Sequence, residues 1–350
     1  MRADDDSPGN PKNGAGGVPL RAPYTCTFCG CLCDDILLEE EAGRVVEARR
    51  GCEVARTRLL GLSTTAEDSP SPRIAGRDVG VEEAVAECAR TLAASRAPLI
   101  LGLAGSTNET VRNAVGLADR LGATIEVGDA SAAWARIAAM QRAGAVGATL
   151  GEVKARADVL VFWACDPATT HPRHFERYSI DAPGRFVEGG RRVIVIDEDE
   201  TPTARRADRF VPIQRGRELA LLSVLRALVR GAELEPRRVE AATGYRLDEL
   251  QTLTATLQGA RYGVWFSGAF ADRGGSDGAE ARHQAVTGLV REMARRTRFV
   301  AMGLGEPGNS HGAEGVLGWQ SGFAPGVDFG AGFPESLPGE TSAADRLARG

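Results

Sequence analysis

The rhythm of apolar and polar positions changes along the chain, and the change marks its parts. Residues 35–39 and 44–49 show short alternating patterns around a turn at 41–43, which predicts a small two-stranded β element. From about Val81 onward, stretches with apolar residues three and four apart alternate with short continuous apolar runs. Helices are expected over 82–94, 108–121, 217–231 and 280–296. Strands are expected over 99–103, 124–127, 159–163, 192–197, 210–213, 263–267 and 299–303. That order predicts a doubly wound, mainly parallel α/β sheet.

After Leu304 the chain is dominated by Gly, Pro and Ser, and no further strand is expected. Two parallel strands cannot bury both of their faces alone, so another subunit is expected to cover this last region. At the other end, residues 1–22 are rich in Gly, Pro, Asn and Asp, lack periodicity, and read as a disordered tail. The expected plan is therefore a tail over 1–22, a cysteine domain over 23–62, a Rossmann-like α/β domain over 63–258, and a partial second α/β domain over 259–350.

Composition adds exclusions. A chain of 350 residues, 43% hydrophobic and 25% charged, is long enough for real cores and too apolar for general disorder. No apolar run approaches the roughly 18 residues of a membrane span, and the acidic start at Asp4, Asp5 and Asp6 lacks the apolar stretch of a secretory signal. A cytoplasmic location is expected. A net charge of -5 argues against nucleic acid as a partner. Lys12 and Lys154 are the only lysines, an arginine bias to which no function is attached.

Seven cysteines do change the picture, because Cys26, Cys29, Cys31, Cys33 and Cys52 lie close together while Cys88 and Cys165 stand alone. Cys26, Cys29 and Cys33 have the spacing C-x2-C-x3-C, with Cys52 arriving from the next element. Three thiolates on one loop and a fourth from outside suit a [4Fe-4S] cluster. Structural zinc more often takes two close pairs, and the second pair is missing around Cys52, so the spacing favours a cluster over zinc. Cys31 is a surplus sulfur beside Gly30.

These residues carry a resemblance. The run Tyr24-Thr25-Cys26-Thr27-Phe28-Cys29-Gly30-Cys31-Leu32-Cys33-Asp34-Asp35-Ile36 resembles the start of the B subunit of formylmethanofuran dehydrogenase, a relative of the molybdopterin and tungstopterin oxidoreductases. Residues 157–167, the His171-Pro172-Arg173-His174 motif, and the segments 318–322, 327–329 and 338–341 resemble the same family in the same order. The resemblance spans nearly all of the chain from Tyr24. It implies a cluster domain followed by pterin-binding α/β domains, with Cys26, Cys29, Cys33 and Cys52 as metal ligands.

Three departures follow. The family holds molybdenum or tungsten by a cysteine or selenocysteine in the loop after the strand at 124–127, and residues 128–136 contain no sulfur. After the strand at 192–197 the family presents a basic residue to the pterin phosphates. This chain presents Asp197, Glu198, Asp199 and Glu200, which would repel them unless Arg205 and Arg206 fold back, and Asp166 adds a further charge. Family members also continue beyond 338–341 with a strand-bearing tail. Molybdopterin or tungstopterin is therefore expected to be absent.

The combination is similar to the B subunit of the bacterial formyltransferase/hydrolase complex. There the resemblance implies that partner subunits of A, C and D type transfer and hydrolyse a formyl group on a methanofuran-type carrier. The B subunit supports the assembly and contributes no catalytic residue. The alternatives are a working molybdenum or tungsten dehydrogenase subunit and a free-standing iron-sulfur or zinc module. Among the remaining residues, His171 and His174 read mainly as a loop lock, since Pro172 prevents helical alignment of the rings. Cys165 reads as packing, His283 and His311 have no evident partners, and Trp319 and Phe323 read as anchors at a subunit contact.

Overall fold

The computed structural model describes residues 23–62, 70–128, 130–268 and 278–349, without the side chains of 131 and 132. The tail expected over 1–22 lies outside the described residues. Contacts divide the chain into two units. One takes the chain up to Phe28 with Leu32–Ala84, and the other takes Cys29–Cys31 with Val85–Gly350.

In the first unit, β1 (Leu37–Glu41) and β2 (Arg44–Arg49) form an antiparallel hairpin. Ala42 and Gly43 both have positive φ, 46° and 75°, which is the requirement of a two-residue turn that follows the strand twist. α1 (Glu53–Leu59) starts directly after Cys52 and buries Ala55 and Leu59, one turn apart, against β2. The chain then returns, with Gly61 donating to the Val45 carbonyl at 2.9 Å and Val45 to that of Leu62 at 3.0 Å. β3 (Arg73–Ile74) and β4 (Arg77–Asp78) make a minimal hairpin, and the division between units falls inside α2 (Val81–Ala94).

The second unit continues with β5 (Leu99–Gly102), α3 (Asn108–Leu121), β6 (Thr124–Val127), α4 (Ala130–Ala143), α5 (Leu150–Arg156) and β7 (Val159–Trp163). Two short helices, α6 (Pro167–Thr170) and α7 (His174–Tyr178), precede β8 (Arg192–Asp197) and β9 (Arg209–Pro212). Then come α8 (Glu218–Val229), α9 (Pro236–Thr243), α10 (Leu247–Gln258), β10 (Tyr262–Ser267), α11 (Ala279–Ala294) and β11 (Arg298–Gly303). α12 (Ser310–Ser321), β12 (Gly326–Asp328) and α13 (Ala343–Arg349) complete the chain.

β11, β10, β7, β8 and β9 lie in that order in one wholly parallel sheet. Alternation along β7 explains why it sits in the middle. Val159, Val161 and Trp163 face one core with Ile194, Ile196 and Trp265, under Leu221, Leu253 and Leu289 from the helices. Leu160 and Phe162 face the other core with Val193, Val195, Val264 and Phe266. A separate three-stranded sheet has β6 between parallel β5 and antiparallel β12, with α3 and α12 supplying Val111, Val115, Val316 and Leu317 to its core.

Strand positions agree with the pattern to within a residue or two, but the expected domain boundary at 258/259 does not separate the sheets. β10 is buried on both faces and needs a neighbour on each edge, so it inserts between β11 and β7. β10 and β11 thus finish the main sheet, and they form no orphan two-strand fragment that a subunit would have to cover. The expectation of no strand after Leu304 also fails, because β12 adds to β6. The stretch 128–136, read as a loop, is mostly the first turns of α4. Among the described residues, no helix is long and apolar enough to cross a membrane.

Candidate functional site

The carboxyl ends of parallel strands are where α/β sheets place ligands. β7 leaves its sheet through Ala164, a non-glycine residue held at φ 52°. Gly268, just past β10, makes room for this turn, since a Cβ there would lie 2.5 Å from the Cys165 Cβ. Cys165 is buried, its sulfur 3.8 Å from the Phe266 carbonyl. Burial, with Asp197 and Asp166 nearby, pushes its thiol far above the ordinary range. It is a packing residue, as the apolar context predicts.

Asp166 is fully employed in its own loop. One carboxylate oxygen accepts from the backbone N–H of Thr203 at 2.9 Å and from its hydroxyl, and the other accepts from the Thr169 hydroxyl. Arg206 does not fold back onto the acidic run but pairs with Asp181 at 2.7 Å. Past the ends of β8 and β9, a cavity of about 530 Å³ is lined by Glu198, Ile213, Gln214, Arg215, Gly244 and Tyr245. The Oε1 atom of Glu198 is buried there with no hydrogen-bond partner among the described residues. The run Asp197 to Glu200 puts four acidic residues at the end of β8 with Arg206 engaged elsewhere, and such a run does not suit a pterin diphosphate.

The metal-ligand position does not fit either. Glu126 accepts from the backbone N–H of Ala130 and of Ala343, and the Trp134 indole donates to Ser336 at 3.1 Å. A Cβ on Gly326 would stand 3.4 Å from both Ala130 and Trp134. The start of α4 is a packing junction with the C-terminal segment, and it presents no sulfur.

The His171 and His174 pair has separate duties. His171 Nε2 donates to the Gly305 carbonyl at 2.8 Å, and its Nδ1 lies 2.8 Å from the Thr170 hydroxyl, which donates to the Asp166 carbonyl at 2.9 Å. This is the loop lock the sequence suggested. His174 is 2% exposed, with Nδ1 2.9 Å from the Ser179 hydroxyl and Nε2 buried without a hydrogen-bond partner among the described residues. Its ring stands edge-on to Phe266, centroids 5.1 Å apart, and to Phe162 and Tyr178 at 6.2 and 6.1 Å. Burial, with His171 nearby, holds its pKa down at about 3, so the ring is neutral.

The same unit holds the middle of the cysteine loop. Gly30 has φ 74°, and a Cβ on it would lie 2.6 Å from the Gly305 carbonyl group. The Tyr178 hydroxyl donates to the Cys31 carbonyl at 2.7 Å. Chiefly through a hydrogen bond to Cys31, opposed by burial and aided by His171, the Cys29 thiol is pushed down to about 6. Cys26, Cys29, Cys31 and Cys33 are buried, Cys52 is half-buried, and they are not joined in disulfides. Cys26 and Cys33 join through a backbone hydrogen bond of 2.9 Å. Among the described residues, no three His, Cys, Asp or Glu side chains are gathered as a metal site.

One feature lies outside what the sequence suggested. His311 does have a partner, Glu314, at 3.9 Å, which also takes Arg136 through both oxygens at 3.0 Å. The His-x-x-Glu spacing on α12 was the available signal. Trp319 and Phe323 are 75% and 43% exposed, free to meet another surface.

No protein-family model matches the chain. It is 34% identical over 338 residues, 93% of this chain and 75% of the relative, to the B subunit of the tungsten-containing formylmethanofuran dehydrogenase 2 of Methanocaldococcus jannaschii. It is 27% identical over 277 residues, 79% of this chain and 71% of the relative, to the B subunit of the formyltransferase/hydrolase complex of Methylorubrum extorquens. The crystal structure of that complex with methylofuran contains a chain that superposes with a TM-score of 0.65 and 27% identity, covering 79% of this chain and 72% of that one.

Proposed function

Since the chain belongs to the family of formylmethanofuran dehydrogenase B subunits, we propose that it is a non-catalytic, scaffold-like B subunit of a formyltransferase/hydrolase complex. It serves one-carbon metabolism, between formaldehyde and formate, in the cytoplasm. The observation that carries this reading is the start of α4. Where the dehydrogenases place a metal-binding sulfur, this chain has none, and Trp134, Gly326 and Ser336 pack there instead. The acidic run Asp197 to Glu200 at the end of β8 supports the same conclusion for the phosphates of a pterin. Partner subunits then carry out formyl transfer and hydrolysis on a methanofuran-type carrier, and the exposed Trp319 and Phe323 are the anchors this chain offers them.

The cysteine loop holds a [4Fe-4S] cluster as a structural element, with Cys26, Cys29, Cys33 and Cys52 as its ligands. Their spacing and burial support this. Because the ligands are thiolates supplied by a folded loop, cluster binding couples to local folding. Anaerobically purified protein is expected to carry about four irons per chain, and zinc or no metal would refute the cluster.

A second reading, a working tungsten or molybdenum dehydrogenase subunit, is favoured by the 34% identity to the archaeal protein. Metal and pterin analysis of the purified native complex decides between the two. Absence of tungsten, molybdenum and pterin from a complex that hydrolyses the formyl carrier supports the scaffold. Stoichiometric metal with pterin overturns it.

A further inference from the structure

We propose that His171 and Tyr178 are positioning residues that seat the Cys29-Gly30-Cys31 turn against the loop after β11. The α6–α7 segment, not the cysteine segment alone, then fixes how the Cys29 and Cys31 thiols are presented. Three contacts, all within the larger unit, carry this. Gly30 approaches Gly305 so closely that no side chain fits between the two backbones. His171 holds that same Gly305 carbonyl from the other side through Nε2 at 2.8 Å. Tyr178 grips the far end of the turn by donating to the Cys31 carbonyl at 2.7 Å.

The chain around the two residues is built to hold them. α6 and α7 form one short double turn, in which the His174 N–H donates to the His171 carbonyl at 2.8 Å and the Ser179 N–H to that of His174 at 3.2 Å. The Tyr178 ring packs on the edge of the buried His174. The motif at 171–178 is therefore accounted for as a unit: His171 and Tyr178 face the cysteine turn, and His174 is the buried pivot between them. A purely local role would use side chains to satisfy their own loop. Here both reach across more than a hundred residues of sequence, Tyr178 to a carbonyl of the cysteine turn and His171 to the carbonyl of Gly305, on which Gly30 packs.

These contacts are independent of which metal the loop takes and of which complex the chain joins. The chain's own cysteines test the seat. Cys31 lies outside the proposed ligand set, Cys165 is buried in the main core, and Cys88 is exposed. The full-length protein is pulse-labelled with iodoacetamide, and each thiol is followed by peptide mass spectrometry. Loss of one seating hydrogen bond in Tyr178→Phe or His171→Leu is expected to speed labelling of Cys31 by about five- to tenfold, because labelling follows the opening equilibrium of the turn. Cys165 and Cys88 keep their wild-type rates. His171→Gln, which retains an N–H donor, is expected to restore most of the protection.

Unchanged Cys31 labelling in both Tyr178→Phe and His171→Leu overturns the proposal. So does a parallel acceleration at Cys165, which would mean general destabilisation and no specific seat. Iron analysis of the same samples reports separately on the cluster, so failure of one reading is distinguishable from failure of the other.

Discussion

His174 makes the folded chain sensitive to mild acid in a way that one substitution removes. Its ring is 2% exposed among Phe162, Phe175, Phe266 and Tyr178, and its pKa stands at about 3, against an ordinary value of about 6.5. Above pH 6.5 neither the folded nor the unfolded chain protonates this group. Below it, the unfolded chain takes up a proton that the folded chain refuses until about pH 3, so stability falls as pH falls through that window. At about 1.4 kcal/mol per pH unit, the loss from this one group between pH 7 and pH 4.5 is about 2–3 kcal/mol. The assay is urea unfolding from pH 7 to 4.5, read by the fluorescence of the buried Trp163 and Trp265, for wild type and His174→Gln. Carboxylates titrate equally in both proteins and cancel in the difference. The variant loses a roughly constant 1 kcal/mol through the Ser179 contact, and its curve flattens relative to wild type by the full histidine contribution. Parallel curves over the whole range would refute the buried neutral imidazole.

Other substitutions probe the sheet and the surface. Gly263→Ala is expected to cost about 1–3 kcal/mol or more, because its Cβ would lie 2.1 Å from the Phe299 ring. Phe299→Leu in the same chain should restore much of that loss, a non-additivity that a double-mutant cycle measures. Asp158→Ala removes the carboxylate that accepts from the backbone N–H groups of Arg261 and Tyr262, each at 2.9 Å. Urea midpoints should fall by the equivalent of about 1–3 kcal/mol. Trp319→Ser leaves the unfolding midpoint unchanged within about 0.5 kcal/mol, since the ring is 75% exposed, but weakens co-purification with the partner subunits.

What could be read from the sequence depended on how far apart the interacting residues lie. The apolar runs of β7, β8 and β10 are self-evident strands because each is buried on both faces, and the spacing of α3, with Thr107 and Gly122 at its ends, fixes its limits. Sheet order is a different matter. Nothing local to 262–267 says that it pairs with 159–163, about a hundred residues earlier, and not with a new set of strands. β12 is three residues long in a Gly- and Pro-rich stretch, too short for any period to show, and its place is fixed by Asp328 receiving a hydrogen bond from Thr124 at 2.9 Å. His171 was legible as a lock because Pro172 rules out an aligned helical pair. Its partner Gly305 was not, since a glycine carbonyl carries no sequence signal.

Reliance on backbone groups bears on why the cysteines are there at all. Three contacts that seat the Cys29–Cys31 turn end on backbone atoms: the close approach of Gly30 to Gly305, the Gly305 carbonyl at His171, and the Cys31 carbonyl at Tyr178. These contacts explain a glycine at position 30 and make no use of the flanking sulfurs, because alanine or serine would offer the same carbonyl to Tyr178. Cys26 and Cys33 likewise join through a backbone hydrogen bond. Buried thiols in a well-packed core, such as Cys165, are adequately accounted for as small apolar side chains. Four buried on a single short loop, with a fifth at the start of α1, are more than packing calls for. On the proposed reading the chain departs from the dehydrogenases at one place and keeps their pattern at another. At α4 tryptophan and backbone contacts pack where the resemblance puts a metal ligand, and at the cysteine loop the family's sulfurs remain. A scaffold that retains a structural cluster accounts for both. A scaffold without metal accounts only for the first, which is why iron content discriminates more sharply than any test of activity.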